Sequence, residues 1–128
     1  MEFYFPTEFG EQLAFGAAAL SVVIGLVFMF APGITLRVFG LEPTGGRQDG
    51  YVLIRSSLAG FYLGLGAAAL LLAQPMVYLA FGAAFALAVF GVILSILSDG
   101  GATLRNFILL VVHLLLSALS LSYVFGLV

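Results

Sequence analysis

A polar stripe in the last apolar segment of the chain holds the side chains best suited to chemistry. Asn106, His113, Ser117 and Ser120 recur at helical spacing, and His113 is the only histidine. An imidazole at mid-membrane depth could respond to protons or hydrogen-bond the carbonyl of a quinone or a lipid. It could equally be a neutral side chain satisfied by a nearby serine or backbone oxygen. We therefore take Asn106, His113 and Ser117 as candidate ligand-binding residues and leave both interpretations open.

Other chemistries lack the residues they require. One histidine cannot supply bis-histidine haem ligation, and the sequence has no carboxylate pair or histidine cluster suited to a metal ion. The chain has no cysteine, which excludes thiolate catalysis and disulfide exchange. No serine, histidine and acid lie at a common depth in the way that a hydrolase requires. The sequence therefore predicts a protein that is not an enzyme and carries no metal or cofactor.

Arg55 is a second residue of interest, because it is expected about one helical turn inside a membrane-spanning segment. An unpaired charge at that depth is costly, so its guanidinium should reach the lipid phosphates or pair with an acid of the same membrane face. The candidate acids are Asp99, Asp49 and Glu42. Asp99 and Arg105 flank one loop and are expected to close it. These pairings are predicted to be structural.

The elements that carry these residues are long apolar helices. Hydrophobic residues make up 63% of the chain and charged residues 8%, and a membrane-spanning helix needs about 20 apolar residues. Four runs meet that requirement, at about 8–31, 51–74, 75–98 and 103–127. The runs show no alternation of period two, which favours helices over barrel strands. The predicted fold is an all-α integral membrane protein, a single domain over residues 1–128 built as a four-transmembrane-helix bundle.

The basic residues predict how this bundle lies in the membrane. With four spans, the first and third loops share one face, and all the basic residues lie on or next to those loops. The positive-inside rule places that face in the cytoplasm and both termini outside it. Short loops without a sizeable domain suit a bacterial inner membrane, and a net charge of −2 does not suggest nucleic acid. The basic residues are Arg37, Arg47, Arg55 and Arg105, with no lysine.

Stripes of small residues predict where helices approach one another. In lipid, small side chains at helical spacing let two backbones come close. Such stripes could mediate homodimerisation or docking to another membrane subunit, but we favour contacts within the same bundle. The first stripe is Ala14, Ala18, Ser21 and Gly25; the second is Ser56, Gly60, Gly64 and Ala67; the third is Ala84, Ala88, Gly91, Ser95 and Ser98.

A short repeat raises the option of internal symmetry. The hexapeptide LAFGAA occurs at residues 13–18 and again at 79–84. Ile54-Arg55 opens the second span much as Leu104-Arg105 opens the fourth. A duplication would give two parallel helical hairpins related by an axis along the membrane normal. Alanine-rich spans also produce such matches by chance.

Several segments together resemble a known family. The residues that carry the resemblance are Pro32, the segment VFGL at 38–41, the segment RSSLAGFYLGLG at 55–66 and the segment FGVILSILSDG at 90–100. Between about Ala31 and Ser122 the chain resembles a small bacterial four-helix membrane family catalogued as domain of unknown function four-three-four-five. That resemblance implies a fold and no established activity. Where members tend to carry an arginine in the third helix and a glutamate in the fourth, this chain has Val92 and His113.

These observations predict a small, non-enzymatic inner-membrane protein with an accessory or scaffolding role. It would pack against another membrane complex or against copies of itself, in contact with membrane lipids. A rival hypothesis is a binder of a small apolar ligand, a quinone or a lipid, that uses His113. A third is a minimal transporter formed by oligomerisation, which the scarcity of intramembrane charge disfavours.

Overall fold

The protein is an all-α bundle, as the sequence predicts. A computed structural model describes residues 7–41, 49–100 and 103–127. A π-helical segment, Ile54–Leu58, joins the third and fourth helices into one continuous rod. The α-helices are α1 (Phe9–Phe30), α2 (Pro32–Val38), α3 (Asp49–Leu53), α4 (Ala59–Leu72), α5 (Pro75–Ser98) and α6 (Leu104–Val124).

Four helices are long and apolar enough to cross a membrane. They are Phe9–Phe30, Tyr51–Leu72, Pro75–Ser98 and Leu104–Val124, which match the four predicted spans to within a few residues. The architecture is therefore that of a multi-pass membrane protein. The short helix α2 follows the first span, and proline at its first position suits a helix start because that position needs no backbone donor.

Local sequence explains where the elements near the candidate site begin and end. The Thr103 hydroxyl caps α6 by accepting a hydrogen bond from the Asn106 backbone N–H at 3.3 Å. Helix α2 ends at Val38, and Gly40, two residues further on, has a φ of 72°, in the left-handed region that glycine adopts without strain. The Leu41 N–H then donates to the Leu36 carbonyl at 2.8 Å. This tight stop holds the end of α2 beside the start of α6.

The first span is the central packing element. It packs along α4 on one side and along α6 on the other, while α5 packs mainly along α6. Helices α1 and α4 approach so closely that a Cβ at Gly25 would lie 2.7 Å from the Leu63 backbone nitrogen. A Cβ at Gly66 would lie 2.8 Å from the Ala18 carbonyl oxygen. The first small-residue stripe therefore packs inside the bundle, as expected.

The second and third stripes do not pack inside the bundle, so that expectation is wrong for both. Ser56, Gly60 and Gly64 are exposed along the second span, and Gly91 is exposed on the third. A Cβ added at any of these three glycines would meet no atom within 4 Å. The contacts of α4 are made by its opposite face, which carries the buried residues Ala59, Tyr62, Gly66 and Ala69.

The repeated hexapeptide occupies two different environments. In α1 its alanines, Ala14, Ala17 and Ala18, are buried. In α5 the buried residues of the same hexapeptide are Phe81 and Gly82, whereas its alanines are exposed. The first two spans pack together and so do the last two, but the two copies of the hexapeptide present different faces to the bundle. The repeat therefore gives no support to a duplication.

Candidate functional site

His113 lies buried near the middle of α6, with 5% of its surface exposed. Its Nδ1–H donates to the Leu109 carbonyl one turn earlier, at 2.8 Å. Because a carbonyl can only accept, this bond fixes the proton on Nδ1 and leaves Nε2 as an acceptor. The Tyr62 hydroxyl donates to Nε2. The imidazole is therefore hydrogen-bonded at both nitrogens, to a backbone oxygen, as one expectation had it, and to a tyrosine in place of the expected serine.

Tyr62 is the residue at which the four spans meet. Its ring packs edge-on against Phe28 of α1, with centroids 4.9 Å apart, and against Phe85 of α5, with centroids 5.0 Å apart. The centroid of the His113 ring, on α6, lies 5.8 Å from that of the Tyr62 ring. The backbone carbonyl of Tyr62 also accepts a 2.7 Å hydrogen bond from the Ser21 hydroxyl of α1. One side chain of α4 thus contacts each of the other three spans.

The rest of the predicted polar stripe is satisfied within its own helix. Ser117 and Ser120 are buried, as a polar line facing protein requires. The Ser117 hydroxyl donates to the Leu114 carbonyl at 3.2 Å, and the Ser120 hydroxyl donates to the Leu116 carbonyl at 2.8 Å. Asn106 is half-buried in the first turn of α6.

A cavity of about 420 Å³ lies between α1, α2 and α6, in the half of the bundle that carries the arginines. Tyr62 and Val112 line it at mid-span, and Arg105 lines it at the start of α6. The predicted trio of Asn106, His113 and Ser117 does not line this cavity. Its walls are Val23, Ile24, Val27, Phe28, Ile34, Thr35, Val38, Phe39, Tyr62, Arg105, Ile108, Leu109 and Val112.

Arg105 is held against the end of α2. A Cβ at Gly40 would lie 2.7 Å from Arg105 Nη1, so the guanidinium occupies the space that a side chain at residue 40 would need. In the part of the chain that the structure describes, Arg105 makes no ion pair with Asp99. The prediction that these two residues pair and so close the third loop is therefore wrong.

Arg55 lies on the opposite side of α2, in the π-helical segment. It is exposed and lines a shallow surface groove of about 600 Å³ together with Arg37 and Tyr51. No ion pair joins Arg55 to Asp99 among the residues 7–41, 49–100 and 103–127. Glu42 and Arg47 lie outside the described residues, and so does the side chain of Asp49. The geometry agrees with an arginine that reaches towards the membrane surface.

A second polar cluster lies at the other end of the bundle and was missed from the sequence. Glu11, in the first turn of α1, is 6% exposed, and it lies near Tyr78 of α5. The ring of Tyr78 packs perpendicular to that of Tyr123, with centroids 5.5 Å apart. Tyr78 is fully buried, and its hydroxyl has no hydrogen-bond partner among the described residues.

Tyr62 itself was also missed, although the sequence carried a signal for it. The other described tyrosines, Tyr51, Tyr78 and Tyr123, lie near span ends. Tyr62 lies about 17 Å into the second span and His113 about 14 Å into the fourth, counted from the same membrane face. A hydroxyl that deep needs a partner, and the lone histidine at matching depth was one candidate for it.

The arrangement offers a binding cavity and a buried hydrogen-bonded pair. Residues 7–41, 49–100 and 103–127 hold no cluster of three or more histidine or acidic side chains suited to a metal ion. The pair stabilises the centre of the bundle, while the cavity and the exposed glycines remain open on its surface. Comparisons of the chain with protein-family models, with curated proteins and with solved structures find no significant match.

Proposed function

We propose that this protein is a non-enzymatic accessory protein of the bacterial inner membrane that assembles through the glycine face of its second span. The partner we propose is a second copy of the same chain. This face consists of Ser56, Gly60 and Gly64, with Ala67 at its far edge. The observation that carries the proposal is that these residues are exposed although they form a close-packing pattern.

The physical argument compares this face with the one the bundle already uses. The stripe on α1 brings two backbones into contact because glycine and alanine leave no side chain between them. Gly60 and Gly64 are separated by one helical turn, and an added Cβ at either would meet no atom within 4 Å. The outer side of the second span therefore carries no side chain at these two positions that would keep another helix away. Such a surface is complementary to itself, so a symmetric pair would bury it on both copies.

Disulfide cross-linking in native membranes tests the proposal cleanly, because the chain contains no cysteine. Gly64→Cys places a single thiol on the proposed face. Gly16→Cys is the matched control, since Gly16 is exposed on α1, has no atom within 4 Å of its added Cβ, and lies at a similar distance from its span end. We expect oxidation to yield a covalent dimer for Gly64→Cys and little for Gly16→Cys.

A second measurement separates this face from random collision in the membrane. The double substitution of Gly60 and Gly64 by leucine should convert the species seen by native mass spectrometry in mild detergent from dimer to monomer. Equal cross-linking of the two cysteine variants, together with a monomeric wild type, would overturn the proposal. Co-purification of one different subunit, lost in the double-leucine variant, would replace the second copy with that subunit.

The orientation belongs to the same proposal. The arginines would face the cytoplasm, with both termini outside it. Its support is that Arg37, Arg55 and Arg105 all lie around α2, at one end of the bundle. A reporter enzyme fused after residue 128 that is active only outside the cytoplasm would support this orientation, and cytoplasmic activity would refute it. The resemblance to the family of unknown function implies the same four-helix fold and no activity.

A further inference from the structure

We infer that the cavity between α1, α2 and α6 binds one acyl chain of an anionic phospholipid, whose phosphate contacts Arg105. This inference does not rest on self-association, because the cavity is formed within a single chain. It also differs from a ligand site at His113, because that imidazole does not line the cavity.

The walls of the cavity suit a hydrocarbon chain. Apart from Thr35, Tyr62 and Arg105, every lining residue is aliphatic or a phenylalanine. The volume of about 420 Å³ is within the range of about 300–1,000 Å³ that small-molecule sites occupy. Apolar surface of this kind favours an apolar occupant over water. The cavity is also open at the bundle surface, where hydrocarbon chains of the bilayer are the surrounding solvent.

The polar groups of the cavity decide which headgroup fits. The Thr35 hydroxyl donates to the Ala31 carbonyl at 3.1 Å, and the Tyr62 hydroxyl donates to His113. A neutral quinone carbonyl would therefore find both hydroxyl donors already engaged. Arg105 differs, because no hydrogen bond or ion pair of its guanidinium is seen within the described ranges. A fixed cation with several N–H donors at the edge of an apolar cavity is complementary to a phosphate oxygen.

The position of Arg105 agrees with this assignment. It is the second residue of α6, so it lies where the span enters the membrane, at headgroup level. Tyr62 and Val112 line the cavity deeper in the span, so the cavity runs from headgroup level towards the bilayer centre. Ile34 lines both this cavity and the neighbouring groove of Arg37 and Arg55. Further positive charge therefore lies beside the proposed phosphate position, which favours an anionic over a zwitterionic lipid.

Lipid titration with native mass spectrometry tests the inference on the purified full chain. The probes are phosphatidylglycerol and phosphatidylcholine with identical acyl chains, and oleate as a free fatty acid, each added to protein in a neutral detergent. We expect a one-to-one adduct that forms preferentially with phosphatidylglycerol. Arg105→Gln should lower the affinity for phosphatidylglycerol about fivefold and that for phosphatidylcholine by less, because the choline ammonium offsets the charge of the phosphate that the two lipids share. Arg105→Lys should retain most of the preference, because it keeps the positive charge.

Two further variants separate the cavity from general surface charge. Arg37→Gln removes a neighbouring arginine that does not line the cavity, and it should leave most of the preference intact. Val112→Trp fills the inner end of the cavity and should weaken both lipids. Circular dichroism and a melting curve verify that each variant is folded.

Four results would overturn the inference. The first is equal binding of the two lipids, and the second is a preference that survives Arg105→Gln. The third is an equal loss of the preference in Arg37→Gln, which would indicate nonspecific surface attraction. The fourth is binding of oleate with no binding of phosphatidylglycerol, which would replace the phospholipid by a free fatty acid as the source of the chain.

Discussion

The hydrogen bond between Tyr62 and His113 should be measurable as a coupling free energy between two spans. Tyr62→Phe removes only the hydroxyl oxygen and keeps the ring contacts with Phe28 and Phe85 at 4.9 and 5.0 Å. It leaves His113 Nε2 buried without a donor. We expect the free energy of unfolding to fall by about 1–3 kcal/mol, the cost of an unsatisfied buried polar group.

The reciprocal substitution and the double substitution complete a double-mutant cycle. His113→Leu leaves the Tyr62 hydroxyl without its acceptor, while the variant carrying both changes has neither polar group. Hydrogen bonds between membrane helices measured in this way contribute about 0.6 kcal/mol on average and up to about 1.7 kcal/mol. We therefore expect the double variant to be less destabilised than the sum of the two single variants, by an amount in that interval.

The assay is reversible unfolding in mixed micelles of dodecyl maltoside and increasing sodium dodecyl sulfate, followed by helical circular dichroism. Tyr78→Phe is the matched control, since it removes the same atom from a fully buried tyrosine whose hydroxyl has no described partner. We expect it to leave stability unchanged or to raise it. A coupling free energy indistinguishable from zero would refute the claim that this hydrogen bond stabilises the bundle. Equal losses of stability in Tyr62→Phe and Tyr78→Phe would refute it as well.

Three further predictions concern single backbone positions, and thermal unfolding of the full chain checks each of them. Gly25→Ala should destabilise the protein by about 1–3 kcal/mol, because its Cβ would lie 2.7 Å from the backbone nitrogen of Leu63; Gly16→Ala, which meets no atom, should not. Ala73→Gly should raise the melting temperature, because the alanine has a φ of 48°, which costs about 1–2 kcal/mol, and glycine relieves most of it. Gly40→Ala should lower it, because the φ of 72° is strained for alanine and the added Cβ meets a guanidinium. The corresponding prediction would be contradicted if Gly25→Ala left the stability unchanged, if Ala73→Gly lowered the melting temperature, or if Gly40→Ala left the melting temperature unchanged.

The span positions were predictable because hydropathy alone determines them. The predicted third span, 75–98, coincides with Pro75–Ser98, and the proline explains its start. The second was predicted at 51–74 and is found at Tyr51–Leu72. Its π-helical turn had no signal in the sequence, since no proline or glycine interrupts residues 51–58.

Which side chains meet was less predictable, because that depends on how each helix is rotated about its axis. The burial of His113 followed from the spacing of the polar stripe, but its partner did not. Tyr62 has matching depth, yet one-dimensional spacing cannot say which face of α4 turns towards α6. The expected ion pair of Arg55 with Asp99 is not formed, for another reason. Exposed pairs contribute little free energy, so nothing forces a long side chain at the membrane surface to adopt a particular partner.

The meeting of four spans at Tyr62 has a consequence for how the chain assembles after synthesis. Tyr62 enters the membrane with the first helical hairpin, whereas His113 belongs to the second, which is made later. Until both hairpins are inserted, a hydroxyl at mid-bilayer depth lacks the acceptor found in the folded state, and an incomplete bundle is correspondingly less stable. Packing of small residues brings α1 and α4 together without reference to the second hairpin. The hydrogen bond between Tyr62 and His113 is directional, so it favours one rotational arrangement when the two hairpins associate.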